Sequence, residues 1–185
     1  EDIKNVFGSL DNIDIIIGGP PCQGFSAANR YKTEGDDPRN KLFFEFVKFV
    51  DMAKPKAIVI ENVRGIVTSN NGYAKKRIYE IFEERGYCVN HQILNAADYG
   101  VPQIRKRLVF VGLKNNKEKS EFPKPRLKEE DYITCKQAIG DLPPLVDELG
   151  SEISTYCGEP ETEYQHKMRG NCDVLYNHVA VNHKD

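Results

Sequence analysis

The sequence predicts an α/β fold, a sheet with helices on its faces, and three observations carry that reading. Short apolar runs alternate with segments of helical periodicity along the first 113 residues. The runs are short and bounded by Gly, Pro and Asn, as strands are. The first of them, Ile13-Asp14-Ile15-Ile16-Ile17, leads straight into Gly18-Gly19-Pro20-Pro21-Cys22-Gln23-Gly24-Phe25-Ser26. A thiol therefore follows a strand's carboxyl end, and that edge of an open α/β sheet is where ligands bind.

The elements follow in order. Ile13–Gly18 reads as a buried strand. Asn29–Asn40 is polar and rich in Gly, Asp and Lys, which reads as a mobile loop. Lys41–Ala53 places Leu42, Phe43, Phe46, Val47 and Val50 at helical spacing, and Pro55 ends that helix. Ala57-Ile58-Val59-Ile60 is a short buried strand closed by Glu61-Asn62-Val63. Tyr73–Arg85 repeats the helical pattern through Ala74, Ile78, Ile81 and Phe82, with Gly86 as its stop. Tyr87–Asn95 and Arg107–Leu113 read as two further strands. Phe122-Pro123-Lys124-Pro125 reads as a linker, and Thr134–Asp141 as a short helix stopped by Pro143-Pro144. The remainder is polar and sparse in apolar runs. A boundary near residue 120 divides the chain into 1–120 and 121–185.

The chain has 185 residues, which suits one domain or a domain with part of another. Its net charge of −2 excludes a wholly basic protein. The charge is uneven: Gln103 to Lys128 holds nine Lys/Arg against two acidic residues, and Asp141 to Glu163 holds seven acidic residues and no Lys/Arg. That asymmetry points to a local basic surface, although Lys114–Lys128 also reads as an ordinary solvated loop. No stretch approaches the roughly 18 apolar residues of a membrane span, and no secretory signal is visible. Five widely spaced cysteines without a CxxC do not make a disulfide framework and fit a reducing cytoplasm. Cys157, His166, Cys172 and His178 match no standard zinc spacing. The chain starts at Glu1 and reads as an excerpt of something longer.

The chemistry lies in three loops. One carries Cys22, one Glu61-Asn62-Val63, and one Gln103-Ile104-Arg105-Lys106-Arg107. Each has an ordinary explanation. The first fits a tight turn around a small buried cysteine as well as it fits a nucleophile. A Glu at a strand end is commonly solvated, and an Arg-Lys-Arg run is commonly surface charge. Together they suit one reaction. Carbon 5 of cytosine is a poor nucleophile until a thiolate adds to carbon 6. That addition needs ring nitrogen 3 protonated or strongly hydrogen-bonded, which a carboxyl group can do. A guanidinium can hold the carbonyl at carbon 2 and polarise the ring. The thiolate is the active form of cysteine, so neighbouring positive charge favours it.

The motifs resemble those of the cytosine-5 DNA methyltransferase family, of the bacterial restriction-modification type. Gly19-Pro20-Pro21-Cys22-Gln23-Gly24-Phe25-Ser26 is similar to its catalytic loop, Glu61-Asn62-Val63 to its Glu-Asn-Val motif, and Gln103–Arg107 to its Gln-x-Arg-x-Arg motif. Asp37–Phe44 and Asn95–Pro102 resemble the segments between these, and Ala138–Pro144 is family-like. Order and spacing match over about residues 1–113.

The resemblance implies a Rossmann-like S-adenosylmethionine-dependent methyltransferase sheet with helices on both faces, here incomplete. Part of a target-recognition region follows it. It implies that Cys22 is the nucleophile, that Glu61 contacts ring nitrogen 3 and the exocyclic amine, and that Arg105 and Arg107 hold the flipped base and nearby backbone. Pro21 would shape the loop beside the cofactor, and Asp2, Ile3, Leu42 and Asn62 would line its pocket or support it. Ser26 would lie near phosphate, and Ala27–Asn40 would be a lid over DNA. Met168-Arg169-Gly170 and Asn177-His178 fall in the recognition region and could contact DNA. The implied partner is duplex DNA with one cytosine turned out of the stack. The implied protein is monomeric, cytoplasmic and nucleoid-associated.

The family's Phe-x-Gly-x-Gly loop for S-adenosylmethionine has no match here, nor has the acidic residue for the ribose, and both are expected before Glu1. The isolated chain is therefore expected to be a poor or inactive methyltransferase. Three other readings stay open on sequence: a tRNA-methylating branch of the same family, a non-catalytic module of the same fold, and another thiol-nucleophile enzyme acting on pyrimidines.

Overall fold

The computed structural model describes residues 8–10, 12–21, 41–145 and 149–180. Asp2, Ile3, Cys22, Ser26 and the expected lid over residues 27–40 lie outside the described residues. The chain forms two compact units, Glu1–Asn95 with Arg105–Lys124, and Ala96–Ile104 with Pro125–Asp185.

The first unit is an α/β layer. Its sheet has strands β1 (Ile15–Gly18), β2 (Ala57–Val63), β3 (Tyr87–Asn95) and β4 (Lys106–Lys114) in the order β1-β2-β4-β3. β1 runs parallel to β2, while β4 runs antiparallel to both β2 and β3. Helices α1 (Lys41–Ala53) and α2 (Tyr73–Glu83) cover one face. Strand alternation sends Ile58, Ile60, Leu108, Phe110 and Val89 to that face, where they meet Phe43, Val47 and Val50 of α1 and Ile78, Ile81 and Phe82 of α2. The rings of Phe43 and Phe82 join the two helices edge to face, 6.3 Å between centroids. Two glycines permit close layers: a Cβ on Gly18 would meet the Phe46 ring at 2.7 Å, and one on Gly112 would meet Ile58 at 2.8 Å.

The periodicity places α1 correctly, and Gly86 ends the α2 segment with φ of 79°. Arg85, just past α2, ties the two helices by a two-pronged ion pair to Asp51 at 2.7 and 3.1 Å. Two expectations change. The first strand is not buried on both faces, because among the described residues β1 is the last strand of the sheet and the helices cover one side. Ile15 and Ile17 on the other side are 55% and 72% exposed. The second strand does not stop at Ile60, because β4 pairs with it through Val63.

The second unit holds α3 (Cys135–Ile139), β5 (Gly150–Thr155), α4 (Glu163–Arg169) and β6 (Val174–Val179). Thr134 caps α3 and Thr162 caps α4, each in a reciprocal capping box with a Gln three residues on. Gln165, 2% exposed, also accepts from the Glu161 N–H, and the Thr162 hydroxyl donates to the Gln137 carbonyl, so α3 and α4 are pinned together. β5 and β6 pair as an antiparallel ribbon that the polar sequence does not announce. A single cut at residue 120 differs from the observed division for a local reason. The Asp98 carbonyl accepts from the Arg126 and Leu127 N–H groups at 2.8 and 3.0 Å, and the Tyr132 hydroxyl donates to the Asp98 carboxylate. Segment 96–104 is thereby tied to the second unit, and the division falls after Lys124.

Phe82→Ala is expected to destabilise the protein by about 3–5 kcal/mol, read as a lower denaturation midpoint in urea. A pH effect follows from His91. Its ring stacks on Phe110, 5.6 Å between centroids, and its Nδ1 is hydrogen-bonded to the Tyr79 hydroxyl at 2.7 Å. Burial first, then the charges of Lys75 and Lys119, hold its pKa below the ordinary 6.5. The unfolded chain therefore takes up this proton first as pH falls. The stability from neutral His91 is present above 6.5 and lost as pH falls from there through the lower folded value. Urea midpoints measured from neutral to acid pH should fall more steeply in the wild type than in His91→Gln.

Candidate active site at one sheet edge

The site assembles because β2 has a parallel neighbour on one side and an antiparallel neighbour on the other. Parallel register sets Gly18 beside Ile60, so Gly19 and Pro20 continue alongside Glu61 and Asn62. Antiparallel register sets Arg107 opposite Val63 and Val109 opposite Glu61. Glu61 and Arg107 are therefore diagonal neighbours on one face of the sheet. Arg107 Nε meets Glu61 Oε1 at 2.8 Å. The side chains are 28% and 46% exposed, so the pair is half-solvated. Such pairs contribute only about 0–1 kcal/mol to stability. A ligand that offers the carboxylate or the guanidinium equivalent hydrogen bonds can therefore open the pair at small cost.

The thiol loop is carried to this pair by its backbone. A Cβ on Gly19 would lie 3.2 Å from Glu61 Oε2, so the chain just before Cys22 passes directly beside the carboxylate. Asn62 points the other way, into the helix-covered side, and is 8% exposed. Its Nδ2 donates to the Pro20 carbonyl at 2.9 Å and its Oδ1 accepts from the Val63 N–H at 2.9 Å. Both ends of this amide are thus committed to backbone, and its role is to hold the loop.

The other described candidates are placed as follows. The Arg105 side chain is exposed, and its backbone N–H donates to Asn95 Oδ1 at 3.1 Å. Asn95, 8% exposed, thereby fixes the entry into β4, a role that the sequence reading missed although Asn95 opens one of the quoted family-like segments. Pro21 is exposed. Leu42 is 61% exposed and lies one helical turn before Phe46, whose ring abuts Gly18. The structure thus brings together Glu61, Arg107 and the loop leading into Cys22, and leaves the Arg105 guanidinium outside the ion pair.

Comparison with known proteins gives a consistent result. The family model described as C-5 cytosine-specific DNA methylase matches residues 1–179. The Type II methyltransferase M.DdeI of Desulfomicrobium norvegicum is 44% identical over 182 residues, covering 95% of this chain and 43% of that protein. The Type II methyltransferase M1.HphI of Haemophilus parahaemolyticus is 49% identical over 172 residues, covering 92% and 40%. This chain therefore spans less than half the length of these relatives. A prophage-encoded Escherichia coli protein, described as a DNA modification methyltransferase, superposes with a TM-score of 0.64 at 28% identity, covering 96% of this chain and 49% of that one. Spodoptera frugiperda DNMT2 shares the fold, with a TM-score of 0.50 at 23% identity over 74% of this chain and 41% of its own.

Asn62→Ala removes the buried amide that donates to the Pro20 carbonyl. It is expected to cost about 1–3 kcal/mol in urea unfolding.

Proposed function

Because this chain belongs to the C-5 cytosine-specific DNA methylase family, we propose that it carries the chemical core of an enzyme that methylates carbon 5 of cytosine in duplex DNA. The complete protein acts as the modifying partner of a restriction system, and its fold is the Rossmann-like methyltransferase sheet. The observation that carries the reading is the convergence of Glu61, Arg107 and the Gly19-Pro20 backbone at one edge.

The roles follow from that geometry. Cys22, two residues beyond the Pro20 carbonyl that Asn62 holds, adds as thiolate to carbon 6 of a cytosine turned out of the helix. Glu61 takes the base edge: one oxygen accepts from the exocyclic amine and the carboxyl group supports the proton on ring nitrogen 3. Arg107 gives up part of its pairing with Glu61 to hold the base, while the exposed Arg105 and Ser26 hold base and phosphate. Addition at carbon 6 makes carbon 5 electron-rich. S-adenosylmethionine supplies the electrophilic methyl group, and Pro21 and Leu42, with Asp2 and Ile3, line the surface that holds it. Loss of the carbon 5 proton then lets the thiolate leave, which restores both the ring and Cys22.

The test uses the complete protein, the methyl donor and duplex DNA bearing 5-fluorocytosine, whose carbon 5 has no proton to lose. A covalent protein–DNA adduct is expected, and it should vanish in Cys22→Ala. Glu61→Gln should slow methylation of ordinary DNA by about 10²–10⁴-fold. An adduct that persists without Cys22 would overturn the assignment of the nucleophile. Methylation of tRNA in preference to duplex DNA would overturn the substrate.

A further inference from the structure

Two exposed free thiols in the second unit, Cys157 and Cys172, take no part in the chemistry above. Cys157 lies two residues past the end of β5, and Cys172 two residues before the start of β6. The ribbon pairs Gly150 with Val179, Ile153 with Tyr176 and Thr155 with Val174. Continued without a break, that register sets Tyr156 opposite Asp173 and Cys157 opposite Cys172. The pairing itself ends at Thr155 and Val174 and the chain bends at Cys157 and Gly158, but one side chain holds the two ends together beyond the ladder. The Arg169 guanidinium lies over the Tyr156 ring, 4.1 Å from its centroid, and Nη2 donates to the Asp173 carboxylate at 3.1 Å. The first continued pair is therefore bridged. Its Nε donates to the Cys172 carbonyl at 3.2 Å and its Nη1 to the Gly158 carbonyl, so the same group joins the backbone beside Cys157 to that of Cys172. The Arg169 side chain is only 8% exposed, which marks a settled clamp rather than a passing surface contact.

The two cysteines flank the loop that Arg169 clasps, each two residues from the last paired position, so a small movement of the loop ends brings them to the roughly 3.5–4.5 Å Cβ spacing that a disulfide takes. The Cys172 thiol donates to the Val174 carbonyl at 3.3 Å, a weak bond that rotation of one side chain gives up. Among the described residues no third metal-ligating side chain joins the pair, so the geometry favours a bond between the sulfurs over a metal.

We propose that Cys157 and Cys172 are a reversible disulfide site, closed by a small disulfide of the glutathione class. One thiol loses its proton, and its thiolate attacks the small disulfide, forming a mixed disulfide and releasing one thiolate. The second cysteine thiolate then attacks the protein sulfur of that bond and releases the other. The two protein thiols lose two protons and two electrons, and the small disulfide is reduced to two thiols. The new bond closes the loop that carries α4. Thr162, Tyr164, Lys167 and Met168 of that loop form one wall of a cavity of about 640 Å³ within this unit, so oxidation fixes that wall.

The 185-residue chain is incubated with oxidised glutathione, and its thiols are mapped by trypsin digestion and mass spectrometry without reduction. Trypsin cuts after Lys167 and Arg169, so an internal bond appears as two joined peptides, one with Cys157 and one with Cys172. That product is expected, about 2 Da lighter than the two reduced peptides together, and a thiol reductant should reverse it. Amide exchange should slow between residues 158 and 171 and stay unchanged in β2 and β4. Cys157→Ser and Cys172→Ser should each abolish the joined product and leave glutathione on the remaining partner. Persistent glutathione on both cysteines in the wild type, a bond to Cys135, or a bond between two chains would overturn the proposal.

Discussion

Every spatial relation at the candidate site depends on the mixed pairing of β2. A strand with parallel neighbours on both sides would gather only carboxyl ends at this edge. Here β4 enters antiparallel, so its amino end arrives where the other two strands finish. That single reversal lets Arg107, at the start of one strand, meet Glu61, near the finish of another, at 2.8 Å. The parallel side does a different job. It carries the Gly19-Pro20 backbone past the same carboxylate, so closely that a Cβ at Gly19 would press on it at 3.2 Å. The edge is thus supplied from both directions along the chain, although its groups lie far apart in sequence.

The sheet holds this arrangement because the two helices load one face heavily. Phe43, Phe82, Phe110, Ile58 and Ile60 are all essentially inaccessible, and each contributes on the order of 1.5–3 kcal/mol by burial. Against that, the half-exposed Glu61–Arg107 pair is energetically minor. Stability and chemistry are therefore separated by face. The buried face fixes the register, and the register places the charged groups on the opposite face, where they can exchange partners without loosening the core.

Much of this was legible in the sequence, for identifiable reasons. Apolar spacing marks α1 and α2 because one face of each helix is buried while the other is wet. Thr134 before an apolar turn marks the start of α3. The Glu-Asn-Val and Gln-x-Arg-x-Arg segments point to each other only through the family resemblance, since composition cannot say that their strands run antiparallel. What stayed hidden is mostly the second unit. Its β5–β6 ribbon leaves Ile153 and Tyr176 exposed, so no alternation of buried and wet residues announces it. Its α3–α4 contact rests on the Thr162 hydroxyl and on Gln165, a buried polar side chain that caps α4 and donates to the Lys136 carbonyl of α3, and a hydropathy pattern cannot mark that residue as interior. The Asp98 tether to Arg126 and Leu127 is a backbone bond, equally silent in side-chain chemistry.

Glu61 and Asn62 show how far a two-residue motif can be read from strand geometry alone. Consecutive residues in a strand cannot share a face. One of them must therefore look toward the ion pair and the other toward the packed helices. A carboxylate at position 62 would be buried against the Pro20 carbonyl, two acceptors with no donor between them, a penalty of several kcal/mol. An amide there donates to that carbonyl and also accepts from the Val63 N–H, so both of its polar ends are used. At position 61 the preference reverses. An amide diagonal to Arg107 would keep a hydrogen bond but lose the charge that lets the group support a proton on a ring nitrogen. The order Glu then Asn thus follows from which face carries chemistry and which carries architecture. Exchanging the two would damage both, for different physical reasons.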